Sequence, residues 1–79
     1  MKLTGNFLKF TRNMMHLNQY EMAEKLGITR GLLSVIEIGI RGVSERTENR
    51  FFEMLKEEQL GLFELTELYS RFKKMNRGR

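Results

Sequence analysis

Between Leu17 and Arg41 the chain reads LNQYEMAEKLGITRGLLSVIEIGIR, and this run leaves the backbone few options. Asn18 can accept from a free backbone N–H while Glu21, three residues on, bonds back, which is a capping box and starts a helix. Met22, Ala23 and Leu26 form that helix's apolar stripe, and Gly27 ends it at a position that tolerates positive φ. Thr29 is a good N-cap for a second helix, which runs to about Ile38 before Gly39 and points Leu33 and Ile36 inward. Two helices this short bury little alone, so each must pack on the other and on the remaining chain.

The remaining chain is also helical in pattern. Phe7, Leu8, Thr11, Met14 and Met15 fall at helical spacing in a helix from roughly Asn6 to Met15, with Thr4, Gly5 and Asn6 supplying the lead-in turn. Ser44 caps a helix from about Glu45 to Glu58 that turns Phe51, Met54 and Leu55 inward, and Gln59 to Gly61 breaks the pattern. A last helix runs from about Leu62 to Met75, where Leu62, Leu65, Leu68, Tyr69, Phe72 and Met75 make a wide apolar stripe. The expectation is an all-α, compact five-helix single domain over residues 1–79, its core roughly residues 6–75 and its basic tail residues 73–79. The wide stripe either closes the core or pairs across a two-fold axis, which makes Leu65, Leu68, Tyr69 and Phe72 candidates for a homodimer contact.

Composition narrows the function classes. With no Cys there is neither a disulfide framework nor a thiolate metal site, so the core must come from packing. No apolar run approaches twenty residues, and Met1-Lys2-Leu3 leads into Gly5 and Asn6, so neither a membrane span nor a signal peptide is expected. A cytoplasmic protein is the expectation. Residues 1–44 hold six Lys/Arg and three Glu, residues 45–68 three and seven, and residues 69–79 five and none. Basic ends around an acidic middle favour polyanion binding by the first and last segments; for the tail, ordinary solvated charge explains it equally well. Catalysis has little support. His16 has no Cys, Asp or second His as partner, Glu57-Glu58 reads as a solvated helix end, and no Gly-rich phosphate loop is present. No enzyme activity, cofactor or metal is expected.

The spacing within the central run fits a helix-turn-helix. Such a motif needs a small residue where the second helix crosses the first, here Ala23, and a turn residue four positions later, Gly27. It also needs an apolar residue after the turn, Ile28, and anchors on the second helix, Leu33 and Ile36. In that arrangement one helix braces the other, whose N-terminal residues project into the DNA major groove.

With these residues the chain resembles the Cro-like phage-repressor helix-turn-helix family, also called Xre-type. The matching residues are Leu8, Arg12, Leu17, Gln19, Met22, Ala23, Lys25, Leu26, Gly27, Ile28, Leu33, Ser34, Ile36, Glu37, Gly39, Arg41 and Ser44. The resemblance covers roughly Leu8 to Leu55 and is densest from Leu17 to Arg41. It implies a transcriptional regulator of a prophage, plasmid or bacterium that binds duplex DNA, often as a homodimer on a palindromic operator. It also implies residue roles. Gln19 looks like the family Gln that contacts a phosphate and packs on the recognition helix; an ordinary first-turn polar residue is the plain alternative. Arg12 and Glu37 look like the family's largely buried salt bridge. Arg41 is the expected phosphate clamp, helped by the Gly42 N–H and by Thr29, while Lys9 and Lys25 read as weaker candidates. The chain departs from the family in having Val43 where Pro is common and Glu48 where Leu is common.

The outward face of the second helix departs further. With Leu33 and Ile36 inward, Gly31, Val35 and Ile38 point away from the core, Arg30 and Ser34 lie on one flank and Leu32 on the other. Only Arg30 and Ser34 of these can hydrogen-bond a base. Two readings follow. Either Arg30, Gly31, Ser34 and Val35 contact bases, with Gly31 admitting a close approach and Val35 meeting a thymine methyl. Or the apolar face, with Ile38 and Ile40, binds a regulatory protein partner, making the domain an interaction module such as an antirepressor.

Overall fold

The computed structural model describes residues 3–58 and 62–77, without the side chains of residues 62, 63, 65, 66, 76 and 77. The described residues form five helices and no strand: α1 Gly5–Met14, α2 Gln19–Leu26, α3 Arg30–Glu37, α4 Glu45–Glu57 and α5 Leu62–Arg77.

Four helices begin on side-chain caps. Thr4 Oγ1 accepts from the Phe7 N–H at 3.2 Å, Thr29 Oγ1 from Leu32 at 3.1 Å and Ser44 Oγ from Thr47 at 3.1 Å. At α2 both halves of the capping box form, Asn18 Oδ1 accepting from Glu21 N–H and Glu21 Oε1 from Asn18 N–H, each at 2.8 Å. Each such cap satisfies a backbone donor that the helix leaves free and is worth about 1 kcal/mol.

The ends of α1, α2 and α3 share one device. A residue in left-handed conformation reverses the chain: His16 at φ 59°, Gly27 at 71° and Gly39 at 87°. The next residue then donates back across the last turn, Leu17 to the Arg12 carbonyl at 3.1 Å, Ile28 to Ala23 at 3.0 Å and Ile40 to Val35 at 2.9 Å. This is the Schellman closure, and glycine suits its reversal because it has no Cβ to strain. His16 adopts the same angle with a side chain.

The core collects Leu3, Phe7, Leu8, Met22, Ala23, Leu26, Leu33, Ile36, Phe51, Met54 and Leu55, all buried. α1 packs on α3 and α5, while α2 packs on α3 and α4. Phe7 is the aromatic hub, its ring 5.4 Å from both Tyr69 and Phe72 on α5 and 6.4 Å from Phe51 on α4. The radius of gyration is 11.9 Å, the value expected of a compact domain this long. No helix of the described residues is long and apolar enough to cross a membrane.

Helix limits agree with the sequence pattern to within two residues, but packing differs in places. Leu3 is buried ahead of the expected start, and its N–H donates to Glu48 Oε2 at 3.1 Å. Met14, expected inward, is 42% exposed, because Thr11 and Met15 already fill the side of α1 that meets the core. α5 runs two residues past the expected end at Met75, to Arg77, so residues 73–77 of the expected basic tail are helical. Of the α5 stripe, Leu68, Tyr69 and Phe72 are half-buried against the core and Met75 is 65% exposed. The side chains of Leu62 and Leu65, the break at Gln59 to Gly61 and the last two residues lie outside the described residues.

Two positions on α1 fix how tightly it seats. A Cβ on Gly5 would collide with the backbone carbonyl of Ile36. Among the described residues, Thr11 Oγ1 is buried with no hydrogen-bond partner. Gly5→Ala should therefore lower the unfolding free energy by roughly 1–3 kcal/mol, since neighbouring backbone must move. Thr11→Val should raise it by about 1 kcal/mol by removing an unsatisfied polar atom. Urea unfolding of the two variants beside the parent reads both signs.

Candidate nucleic-acid interface

One side of α3 is bound into the fold and the other is bare. The bound side starts from Glu37, whose side chain is 1% exposed and whose carboxylate gathers three donors. Arg12 Nε donates to Oε2 at 2.7 Å and Arg12 Nη2 to Oε1 at 3.1 Å, a two-pronged pairing. Gln19 Nε2 donates to Oε1 at 3.0 Å. The remaining arginine nitrogen, Nη1, donates to the Leu17 carbonyl at 2.9 Å. The cluster thus ties α1, the following turn, the first residue of α2 and the last residue of α3.

The other ends of α2 and α3 are set by the backbone. Only residues 27–29 separate the helices, and the left-handed Gly27 turns the chain within them. Arg50 on α4 donates through Nη2 to the Lys25 carbonyl at 3.2 Å, satisfying a free carbonyl at the end of α2. After α3, the Gly39 reversal brings the N–H groups of both Ile40 and Arg41 onto the Val35 carbonyl, at 2.9 and 3.2 Å. The loop bearing Arg41 is therefore anchored to α3.

The bare side carries the residues expected to meet bases. Arg30 and Gly31 are exposed, Ser34 and Val35 half-buried. Apart from its own helix turn and chain neighbours, no described atom lies within 4 Å of where a Cβ on Gly31 would stand. Ile38 and Ile40 are 65% and 71% exposed, extending the face apolarly past the helix end. Arg41 and Gly42 are exposed beside them.

Among the residues expected to meet phosphates, two already have partners. Gln19 bonds Glu37, so its place in the fold is that of a brace between α2 and α3; its amide oxygen and second N–H have no bond among the described residues. Thr29 spends an acceptor lone pair on its own helix and keeps its O–H to donate. Arg12 and Glu37 form the pair expected of them. Of the dimer candidates, Leu68, Tyr69 and Phe72 close the core, and the side chain of Leu65 is not among the described ones. Lys25 lies 3.9 Å from Glu58, a surface pair of little energetic weight.

Tyr20, the second residue of α2, stood out by no sequence pattern. It is 69% exposed, and the Arg30 guanidinium carbon lies 5.4 Å from its ring centroid. The signal was available: an aromatic residue ten positions before an arginine, across a turn of known geometry. Among the described residues, no group of three or more acidic, His or Cys side chains is placed to hold a metal ion.

Comparison with protein families, curated proteins and solved structures found no match to this chain.

The geometry sets the consequence of breaking the cluster. Arg12→Met strands the buried Glu37 carboxylate and should cost about 3–5 kcal/mol. Arg12→Met combined with Glu37→Leu should cost less than the single change, because no buried charge remains. Chemical denaturation of both variants provides the comparison.

Proposed function

We propose that this chain is a helix-turn-helix module of the Cro-like, Xre-type kind that binds duplex DNA and regulates transcription in a bacterium or its phage. The observation that carries the reading is the two-sidedness of α3. A largely buried ion pair, a Schellman closure and apolar anchors fix one side, while on the other Arg30 and Gly31 are exposed and Ser34 and Val35 half-buried. A helix so held, with α2 bracing it through Gln19, has the rigidity that base readout requires. In this reading α3 lies in the major groove. Arg30 hydrogen-bonds a base, Val35 meets a thymine methyl, and Arg41, Gly42, Thr29 and the free amide groups of Gln19 meet phosphates. Two copies on a palindromic site complete the arrangement, and the protein works in the cytoplasm.

A second reading has one observation in its favour. Tyr20, Ile38 and Ile40 are each about two-thirds exposed or more, which also suits a protein-binding face. Absence of salt-dependent affinity for any duplex would select it.

Selection of bound duplexes from a random pool, followed by titrations at several salt concentrations, tests the DNA reading. The selected site should show two-fold symmetry with half-sites about one helical turn apart. Arg41→Ala should weaken all sequences alike and reduce the salt slope by about one. Gly31→Ala separates fold from binding. With open space at its Cβ it should stabilise the domain by up to about 1 kcal/mol through helix propensity. It should nevertheless weaken the selected duplex, because the added methyl group holds α3 away from the groove.

A further inference from the structure

We infer that Tyr20 is a positioning residue that holds Arg30 ready to read a guanine, an inference that rests on the DNA-binding reading above. Arg12 and Arg30 are held in different ways. Arg12 engages all three of its guanidinium nitrogens, on Glu37 and the Leu17 carbonyl, using three of its five N–H groups within the fold. Arg30 has no ion pair or hydrogen bond among the described residues, and its contact is the Tyr20 ring at 5.4 Å. A ring face attracts the cation without taking up any of its N–H groups. It therefore restrains the side chain and leaves the planar fork unspent.

Placement adds to this. Arg30 is the first residue of α3, whose first turn has no acidic residue. A cation at a helix N-terminus meets the positive end of the helix dipole, so the fold alone gives the charge little reason to be there. An acceptor-rich ligand does. The neighbouring Gly31 leaves open space on the side of the helix that approaches the groove. The acceptor pair that matches a planar two-donor fork in the major groove is O6 and N7 of guanine. A phosphate can also accept both prongs of the fork, but it would be gripped alike on every sequence, whereas guanine makes the contact sequence-dependent.

The test uses the selected duplex and a copy in which the guanine facing Arg30, located by the Arg30→Ala footprint, is replaced by adenine. Tyr20→Ala should weaken the guanine duplex about two- to fivefold, the range of an exposed cation–π contact, and leave the adenine duplex and the salt slope unchanged. Tyr20→Phe keeps the ring and should restore the guanine preference. In an Arg30→Ala background, Tyr20→Ala should have no further effect. A uniform loss on both duplexes with a salt slope lower by about one would make the tyrosine–arginine pair a phosphate contact and overturn the inference. So would additive effects in the double variant. If the parent binds no duplex, the DNA-binding reading itself fails; additive effects with the parent still binding fail only the role of Tyr20.

Discussion

The buried pairing of Arg12 with Glu37 is the interaction on which the rest of the arrangement depends. Hydrophobic contacts bring α1, α2 and α3 together but tolerate some sliding. The two-pronged bond, at 2.7 and 3.1 Å, holds in one relative orientation. Removing two charges from water is costly, and two well-packed apolar side chains would hold the helices at least as strongly. What the ion pair adds is direction. It sits at the last residue of α3, where a small error in helix angle would be amplified along the exposed face.

Around that pair the fold uses local devices in series. Side-chain caps begin the first four helices, left-handed residues end the first three, and the aromatic group around Phe7 draws α5 down over α1. Gly5 lets α1 approach the Ile36 carbonyl, just ahead of Glu37, so that the ion pair and the close backbone contact act on one short stretch of α3. The arginines divide accordingly. Arg12 and Arg50 serve the fold, bonded to Glu37, Leu17 and Lys25, while Arg30 and Arg41 extend from it.

Much of this was legible in the sequence because it is local. The Asn18–Glu21 capping box, the Thr29 and Ser44 caps and the Gly27 reversal are set within a few residues, and each forms where the spacing predicts. Arg12 and Glu37 were paired by resemblance alone, since twenty-five residues separate them. Other features were illegible because they are contacts between distant segments. Nothing near Gly5 announces the Ile36 carbonyl, and nothing near Glu48 announces the Leu3 N–H. Met14 satisfied the helical period but sits at the edge of the packed side, where period alone does not decide burial. His16 reverses the chain without being glycine, so a search for Gly or Asn at helix ends passes over it. The contact of Tyr20 with Arg30 was illegible because it depends on the angle between two helices.

The empty space at Gly31 has a consequence for how such a chain changes over generations. Among the described residues, no cap, core contact or ion pair involves the side-chain position of Gly31, and Arg30 packs against an exposed ring. Substitutions on this face spend little of the stability margin that limits which mutations a small domain survives. The scaffold and the face can therefore drift independently. A lineage can rewrite that face while Arg12, Glu37 and the closing residues stay fixed.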